Sequence, residues 1–305
     1  MAPGRDRAVD DRPRGRRPRL HQRGGARTDH LTADLIPASA LEATGLVRAV
    51  FTTRRGGVSR GAYRSLNLSF GVGDDPEAVT VNRRRLADAV GIPPGVLVEA
   101  EQVHGSGVAL AGRLPLSRSS LRSASGRGGG THLPPAGAPI PGVDALVTAD
   151  PGLWLAIYAA DCVPVLVLDA ATPAIAAVHA GWRGTAAGVV PAALDRMRTA
   201  FGTAAAQCRV VLGPAIGECC YEVDAPVARA MEGAAWWPEA VRPTGPGRWH
   251  LDLRTAIRRQ LLDLGVPADH VTIVPHCTAC RADLFFSYRR DRVTGRMGAC
   301  IGLRR

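Results

Sequence analysis

The sequence predicts a mixed α/β fold of the α+β kind. Short apolar runs of strand length, Ala145 to Thr148, Trp154 to Ala159, Val163 to Asp169 and Ile175 to His179, follow one another with turn-length breaks. Three other segments repeat apolar residues at helical spacing. Strands and helices alternate without a strict two-element period, and no internal repeat is visible. With 305 residues, 46% of them apolar, the chain has ample material for a core.

The elements follow in order. Residues 1–32 are an Arg- and Pro-rich tail without hydrophobic periodicity, expected to be disordered. A single folded domain is expected over 33–305, its first element starting near Leu35 or Leu41. Val47 to Thr53 reads as a strand, with Gly56-Gly57 as a turn. Asp75-Pro76-Glu77 opens a helix that runs through Val90 and stops at Gly91; proline at the first helical position forfeits no hydrogen bond. Leu97 to Val103 reads as a strand. Residues 113–141, rich in Ser, Gly, Arg and Pro, read as a flexible surface insertion. After the four apolar runs, Thr185 is a candidate cap for a helix from Ala186 to Phe201, in which Val189, Val190, Ala193, Leu194 and Met197 recur at helical spacing. A strand at Val210 to Leu212, a helix from Leu253 to Leu264 ended by Gly265, and strands at Val271 to Val274 and Ala299 to Leu303 complete the set.

Composition narrows the function. The formal net charge is +11, but the tail and the insertion carry most of it, leaving a nearly neutral body. That distribution argues against a nucleic-acid-binding fold. No run of 18 or more apolar residues exists, so no transmembrane helix and no membrane partner is expected. The N-terminus lacks the apolar region of a signal peptide. Seven cysteines, an odd number with Cys219-Cys220 adjacent, point to a reduced, cytoplasmic protein. A monomer or homodimer is expected.

Three short motifs bear the chemistry: Gln102-Val103-His104-Gly105, Ala160-Asp161-Cys162-Val163-Pro164 and His179-Ala180-Gly181-Trp182-Arg183-Gly184-Thr185. Each of His104, Cys162 and His179 lies at a strand end beside small or helix-breaking residues. Singly, each reads as an ordinary buried or half-buried side chain. Together, two imidazoles and a thiolate form a zinc or copper ligand set with a coordination position left open. Gly181 to Thr185 joins a strand to a helix N-terminus, where Arg183 could fork onto phosphate or carboxylate; the competing reading is an ordinary turn with a surface arginine. Thr52 to Ser59, with Arg54 and Arg55, resembles a second anion-binding loop or a hairpin with solvated arginines. Cys277-Thr278-Ala279-Cys280 looks like half of a zinc site, but no second pair stands at finger-like spacing, so neither a structural zinc nor a reactive thiol pair is expected there.

Taken together, these motifs resemble the laccase-like multicopper polyphenol oxidase family, also called YfiH or DUF152. The likeness runs from about residue 47 to the C-terminus. It adds Ser65-Leu66-Asn67-Leu68, Gly73-Asp74-Asp75, Asn82-Arg83, Asp144 to Thr148, Gly213-Pro214, Tyr221-Glu222-Val223, Phe285 to Arg290 and Gly295-Arg296. The resemblance implies a layered sandwich of mixed β-sheets flanked by helices, with a metal site at strand ends. It also implies zinc held by His104, Cys162 and His179, and a purine nucleoside phosphorylase acting on adenosine, inosine, guanosine and methylthioadenosine, with adenosine deaminase activity. The expected catalytic residues are His104, Cys162, His179 and Asp161, the last as proton shuttle. Arg55, Asn67 and Arg183 are expected at the substrate and phosphate. Cys162 acting as nucleophile with His104 as base stays open, as does stacking of a base on Phe285, Phe286 or Tyr288. The alternative function is a copper-dependent polyphenol oxidase. Eight scattered histidines fit a multicopper centre poorly, although a single copper would suit the ligand set.

Overall fold

The computed structural model describes Met1 and residues 32–112 and 138–304. Most of the expected tail 1–32 and insertion 113–141 lies outside the described residues. The strands, in chain order, are β1 (Leu35–Pro37), β2 (Val47–Thr52), β3 (Leu97–Glu99), β4 (Val108–Leu110), β5 (Ala145–Thr148), β6 (Trp154–Ala159), β7 (Val163–Asp169), β8 (Ala174–Ala180), β9 (Cys208–Leu212), β10 (Glu222–Asp224), β11 (Val241–Gly245), β12 (Arg248–Leu251), β13 (Val271–Ile273) and β14 (Met297–Leu303).

They form two large sheets and one small one. One large sheet has the order β1-β2-β14-β6-β3, the other β13-β9-β7-β8-β5-β4, and the small one β10-β12-β11. Both large sheets are mixed: β3 pairs parallel with β6, β13 with β9 and β4 with β5, and the remaining pairs are antiparallel.

Side-chain alternation sets the layers. Along β5, Leu146 faces one way, into a core with Leu155, Ile157, Ala299 and Ile301 of the five-stranded sheet. Its neighbours Ala145 and Val147 face the other way, onto Val190, Leu194 and Met197 of the helix Val189–Phe201 and Ile257 and Leu261 of the helix Leu253–Asp263. The outer face of the five-stranded sheet, with Val50, Ala156 and Cys300, packs on Leu86 and Val90 of the helix Pro76–Val90. The architecture is therefore helix, sheet, sheet, helix, a mixed α/β sandwich. Strands buried on both faces explain why the runs near β5 to β8 are almost continuously apolar.

Helix ends follow the sequence in one case and depart from it in another. Asp75 Oδ1 accepts from the Glu77 N–H at 3.0 Å and caps the helix Pro76–Val90, which ends at Gly91 in the left-handed region. The helix expected from Ala186 is two helices, Trp182–Ala186 and Val189–Phe201. Gly188, at φ +74°, breaks the chain between them. Thr185 is consequently inside the first helix and caps nothing. The strand expected over Leu97 to Val103 ends at Glu99. Beyond it, Gln102 and His104 take φ values of +64° and +62°, which no ladder accommodates. No helix among the described residues is long and apolar enough to cross a membrane.

Candidate metal centre and active-site cleft

The β7–β8 hairpin sets the site. Its ladder begins with Val163 opposite Ala180 and Pro164 opposite His179. Cys162 and Gly181 therefore face each other one step beyond the last pair. A β-carbon on Gly181 would lie 2.8 Å from Cys162 Sγ and 3.2 Å from His104 Cδ2. Only glycine leaves that space to the thiol and the ring.

Asp144, fully buried just before β5, brings the third donor in. Its Oδ1 accepts from the His104 N–H at 2.9 Å and from His179 Nδ1 at 2.8 Å, and its Oδ2 accepts from the Gly105 N–H at 2.7 Å. One carboxylate thus orients His179 and fixes the loop that carries His104. The Nδ1–H bond leaves His179 Nε2 as the ring atom able to ligate. The two imidazoles meet edge to face, with ring centroids 4.9 Å apart. Gln102 clamps the same loop to β6: its side chain donates to the Tyr158 carbonyl at 2.6 Å and accepts from the Tyr158 N–H at 2.8 Å.

The outcome is that one ligand atom from each of His104, Cys162 and His179 lies within 4.8 Å of the others. Burial pushes the Cys162 thiol up, but the His179 charge and bonds from both imidazoles outweigh it and bring it down to about 6. Burial likewise opposes the charge on His179, and the Cys162 thiolate and Asp144 raise it. Two borderline nitrogens and a thiolate, oriented by a buried carboxylate, could hold a metal ion and have the chemistry of a zinc or copper ligand set. Among the described residues, the only other cluster of metal-binding side chains is composed of cysteines. A histidine-rich trinuclear copper cluster is therefore absent among them.

These residues floor a cleft of about 730 Å³. Arg183, Arg289, Arg292 and Arg296 line it, and none has a carboxylate within ion-pair distance among the described residues. Arg183 lies over the Trp182 ring and Arg289 over Tyr221, while Arg296 is tied to the Thr294 and Gly295 carbonyls. Two half-exposed rings, Phe70 and Tyr288, stand at the same cleft.

The other sequence candidates take different places. Asp161 lines the cleft at φ +91°, with Oδ1 accepting from Thr278 Oγ1 and Oδ2 from the Arg289 N–H, both at 2.6 Å. Strain in a non-glycine residue is retained only where surroundings enforce it, and Asp161 joins two segments of the cleft wall. Arg55 is outside the cleft, bound to Asp283. Its neighbour Arg54 covers the Phe286 ring and donates to the Arg64 and Ala282 carbonyls, so the Thr52 to Ser59 loop spends its arginines within the fold. Asn67 is fully buried and also off the cleft lining; its amide donates to Asp74 and accepts from the Arg296 N–H at 2.9 Å, which positions Arg296. Phe285 and Phe286 are core residues beside Ala160 and Met297. Of the three aromatic candidates, only Tyr288 reaches the cleft. Arg289 and Arg296 stand in the family motifs but carried no phosphate role in the sequence, and Arg292 stands in no motif, although the arginine density of residues 289–296 was a usable signal.

Known proteins are similar to this chain in sequence and in fold. The family model described as multi-copper polyphenol oxidoreductase laccase matches residues 48–304. "Purine nucleoside phosphorylase YlmD" of Geobacillus stearothermophilus is 41% identical over 260 residues, covering 84% of this chain and 90% of that one. "Purine nucleoside phosphorylase SCO2081" of Streptomyces coelicolor is 42% identical over 253 residues, covering 83% and 94%. The crystal structure of the Geobacillus YlmD superposes with a TM-score of 0.74 at 38% identity, covering 85% of this chain and 92% of that one. A Bacillus licheniformis YfiH structure gives 0.77 at 33%, covering 88% and 96%. A match over most of the chain in sequence and in fold means that this protein belongs to the laccase-like YfiH family, among whose members are proteins named purine nucleoside phosphorylases.

Proposed function

We propose that this chain cleaves purine nucleosides by phosphorolysis in the cleft above His104, Cys162 and His179, with zinc as the resident metal. One observation carries the reading: the His/Cys/His set and four arginines without a carboxylate partner among the described residues open into the same cavity. Phosphate needs several fixed positive charges to be held against a sugar carbon, and guanidinium forks supply them. In the reaction a phosphate oxygen bonds to the ribose anomeric carbon as the bond to the purine nitrogen breaks. The base leaves with the electron pair and takes a proton. Arg183, Arg289, Arg292 and Arg296 hold and orient the phosphate. Phe70 and Tyr288 offer faces for the purine. Zinc held by His104, Cys162 and His179 would supply Lewis-acid polarisation.

Deamination of adenosine is the second reaction we propose for the same site. The Asp161 carboxylate beside the ligand set supports it as proton carrier. The name of the matching family suggests phenol oxidation, but a multicopper mechanism requires a histidine cluster that the described residues do not assemble. The thiol ligand is suited to a reducing cytoplasm.

The test is product chromatography from adenosine and inosine, with and without phosphate, for the wild type and Cys162→Ala. Phosphate-dependent free base and ribose 1-phosphate, lost in the variant, support phosphorolysis. Phosphate-independent inosine from adenosine supports deamination. No turnover by folded, zinc-loaded protein sinks the nucleoside reading.

A further inference from the structure

Away from the ligand set on the cleft floor, four thiols meet. Cys219 and Cys220 lie on the 3-10 turn Glu218–Cys220, and Cys277 and Cys280 bracket a turn some 60 residues later. The folded chain brings all four Sγ atoms within 4.8 Å of one another. Cys280 Sγ is 3.6 Å from Cys219 Sγ and 3.4 Å from Cys220 Sγ. Zinc–sulfur bonds of about 2.3 Å in a tetrahedron put neighbouring sulfurs about 3.8 Å apart. These two separations need only a slight expansion to reach that edge, and the remaining pairs lie within 4.8 Å.

The surroundings are also those of a ligand set. The Gly217 N–H donates to Cys277 Sγ at 3.2 Å, the kind of outer bond that stabilises a ligating thiolate. The two segments are already paired: Ala215 and Cys277 form a bridge, and the Thr278 N–H donates to the Ala215 carbonyl at 3.0 Å. The thiols are thus held by ordered backbone before any ion arrives.

We propose that Cys219, Cys220, Cys277 and Cys280 bind a second divalent ion of the zinc class in a closed, structural tetrathiolate site. Soft donors select such an ion, and four protein ligands leave no position for substrate. Binding exchanges S–H bonds for S–metal bonds and releases the protons to water, with no change of oxidation state. The ion fastens the segment carrying Tyr221 to the one carrying Thr278 and Arg289. Tyr221 and Arg289 line the cleft, and Thr278 holds Asp161. The second site therefore braces the cleft wall from behind and takes no part in the reaction.

The experiment is elemental analysis of full-length protein purified under reducing conditions and loaded with zinc, followed by cobalt substitution. Two zinc ions per chain are expected in the wild type and one in Cys162→Ala. The ion remaining in that variant, replaced by cobalt, is expected to give the strong thiolate charge-transfer bands of a four-sulfur environment. Cys280→Ser, at an exposed thiol, is expected to lose one ion and keep the other. Should Cys280→Ser fail to fold, titrating Cys162→Ala with an organomercurial decides: release of one zinc supports the site. A wild type with a single zinc that Cys162→Ala removes would overturn the proposal. So would a disulfide between Cys280 and Cys219 or Cys220 in protein kept reduced and zinc-loaded. None of these readouts depends on the activity proposed above.

Discussion

Replacing Gly181 by alanine tests whether the metal centre depends on the space opposite Cys162. Gly181 has φ −80° and ψ 178°, extended backbone that alanine adopts without strain. The perturbation is therefore confined to one methyl group. That methyl would lie 2.8 Å from Cys162 Sγ and 3.2 Å from His104 Cδ2. Ordinary contact begins near 3.4 Å, so the sulfur must retreat by about 0.6 Å and the ring by about 0.2 Å. Metal–ligand distances tolerate about 0.2 Å. The sulfur displacement is about three times that allowance. Overpacking of this kind costs about 1–3 kcal/mol, so the fold should survive. Zinc affinity should fall by about 10- to 100-fold, the loss typical of disturbed ligand support. The assay is zinc competition against a chromophoric chelator, with product formation and thermal melting measured on the same preparation. Wild-type zinc affinity and turnover in a folded Gly181→Ala protein would refute the reasoning.

Three further outcomes are expected. Asp144→Asn, which removes the charge bonded to His179 Nδ1, should lower zinc affinity by about 10-fold or more; competition titration at fixed pH reads it, and unchanged affinity counts against the orienting role. Asn82→Ala removes a fully buried amide that accepts from the Val58 N–H and donates to Ser59 Oγ and the Ser65 and Asn67 carbonyls. It should cost about 2–4 kcal/mol in urea denaturation, and a loss below 1 kcal/mol by the same method would contradict the network. Burial raises the thiols of Cys208 and Cys300 to about 12 each, so both should stay unmodified when folded protein is alkylated near neutral pH. Peptide mapping before and after denaturation checks this, and labelling of either in the folded state would be the contrary result.

What the sequence disclosed depended on how local each signal was. The helix Pro76–Val90 was legible because its cap, its proline and its stop glycine are neighbours in the chain. Gly188 was not, because it sits in a run of Ala, Gly and Val whose periodicity continues past it. The small sheet escaped because β10 has three residues and β11 is exposed and holds Pro243 and Gly245. The same distinction governs the site. His104, Cys162 and His179 each stand in a readable motif, but Asp144, which unites two of them, lies 35 and 40 residues away. The two cysteine pairs are about 60 residues apart, so half of that cluster looked solitary. Arg55 stood in an apparently anion-binding loop, yet an aspartate more than two hundred residues later takes its charge.

The position of β14 has a consequence for synthesis. It lies at the middle of the five-stranded sheet, between β2 and β6, and pairs Phe51 with Ala299. Among the described strands it is the last in chain order, and so leaves the ribosome after the others. Until it does, β2 and β6 have no partner across the centre of the sheet, and their apolar faces cannot be sealed between the layers. A nascent chain lacking only this strand is in effect unfinished. It must remain free of aggregation for the whole of its translation, through chaperone shelter or rapid elongation, and folding then awaits a contact spanning nearly the full described length.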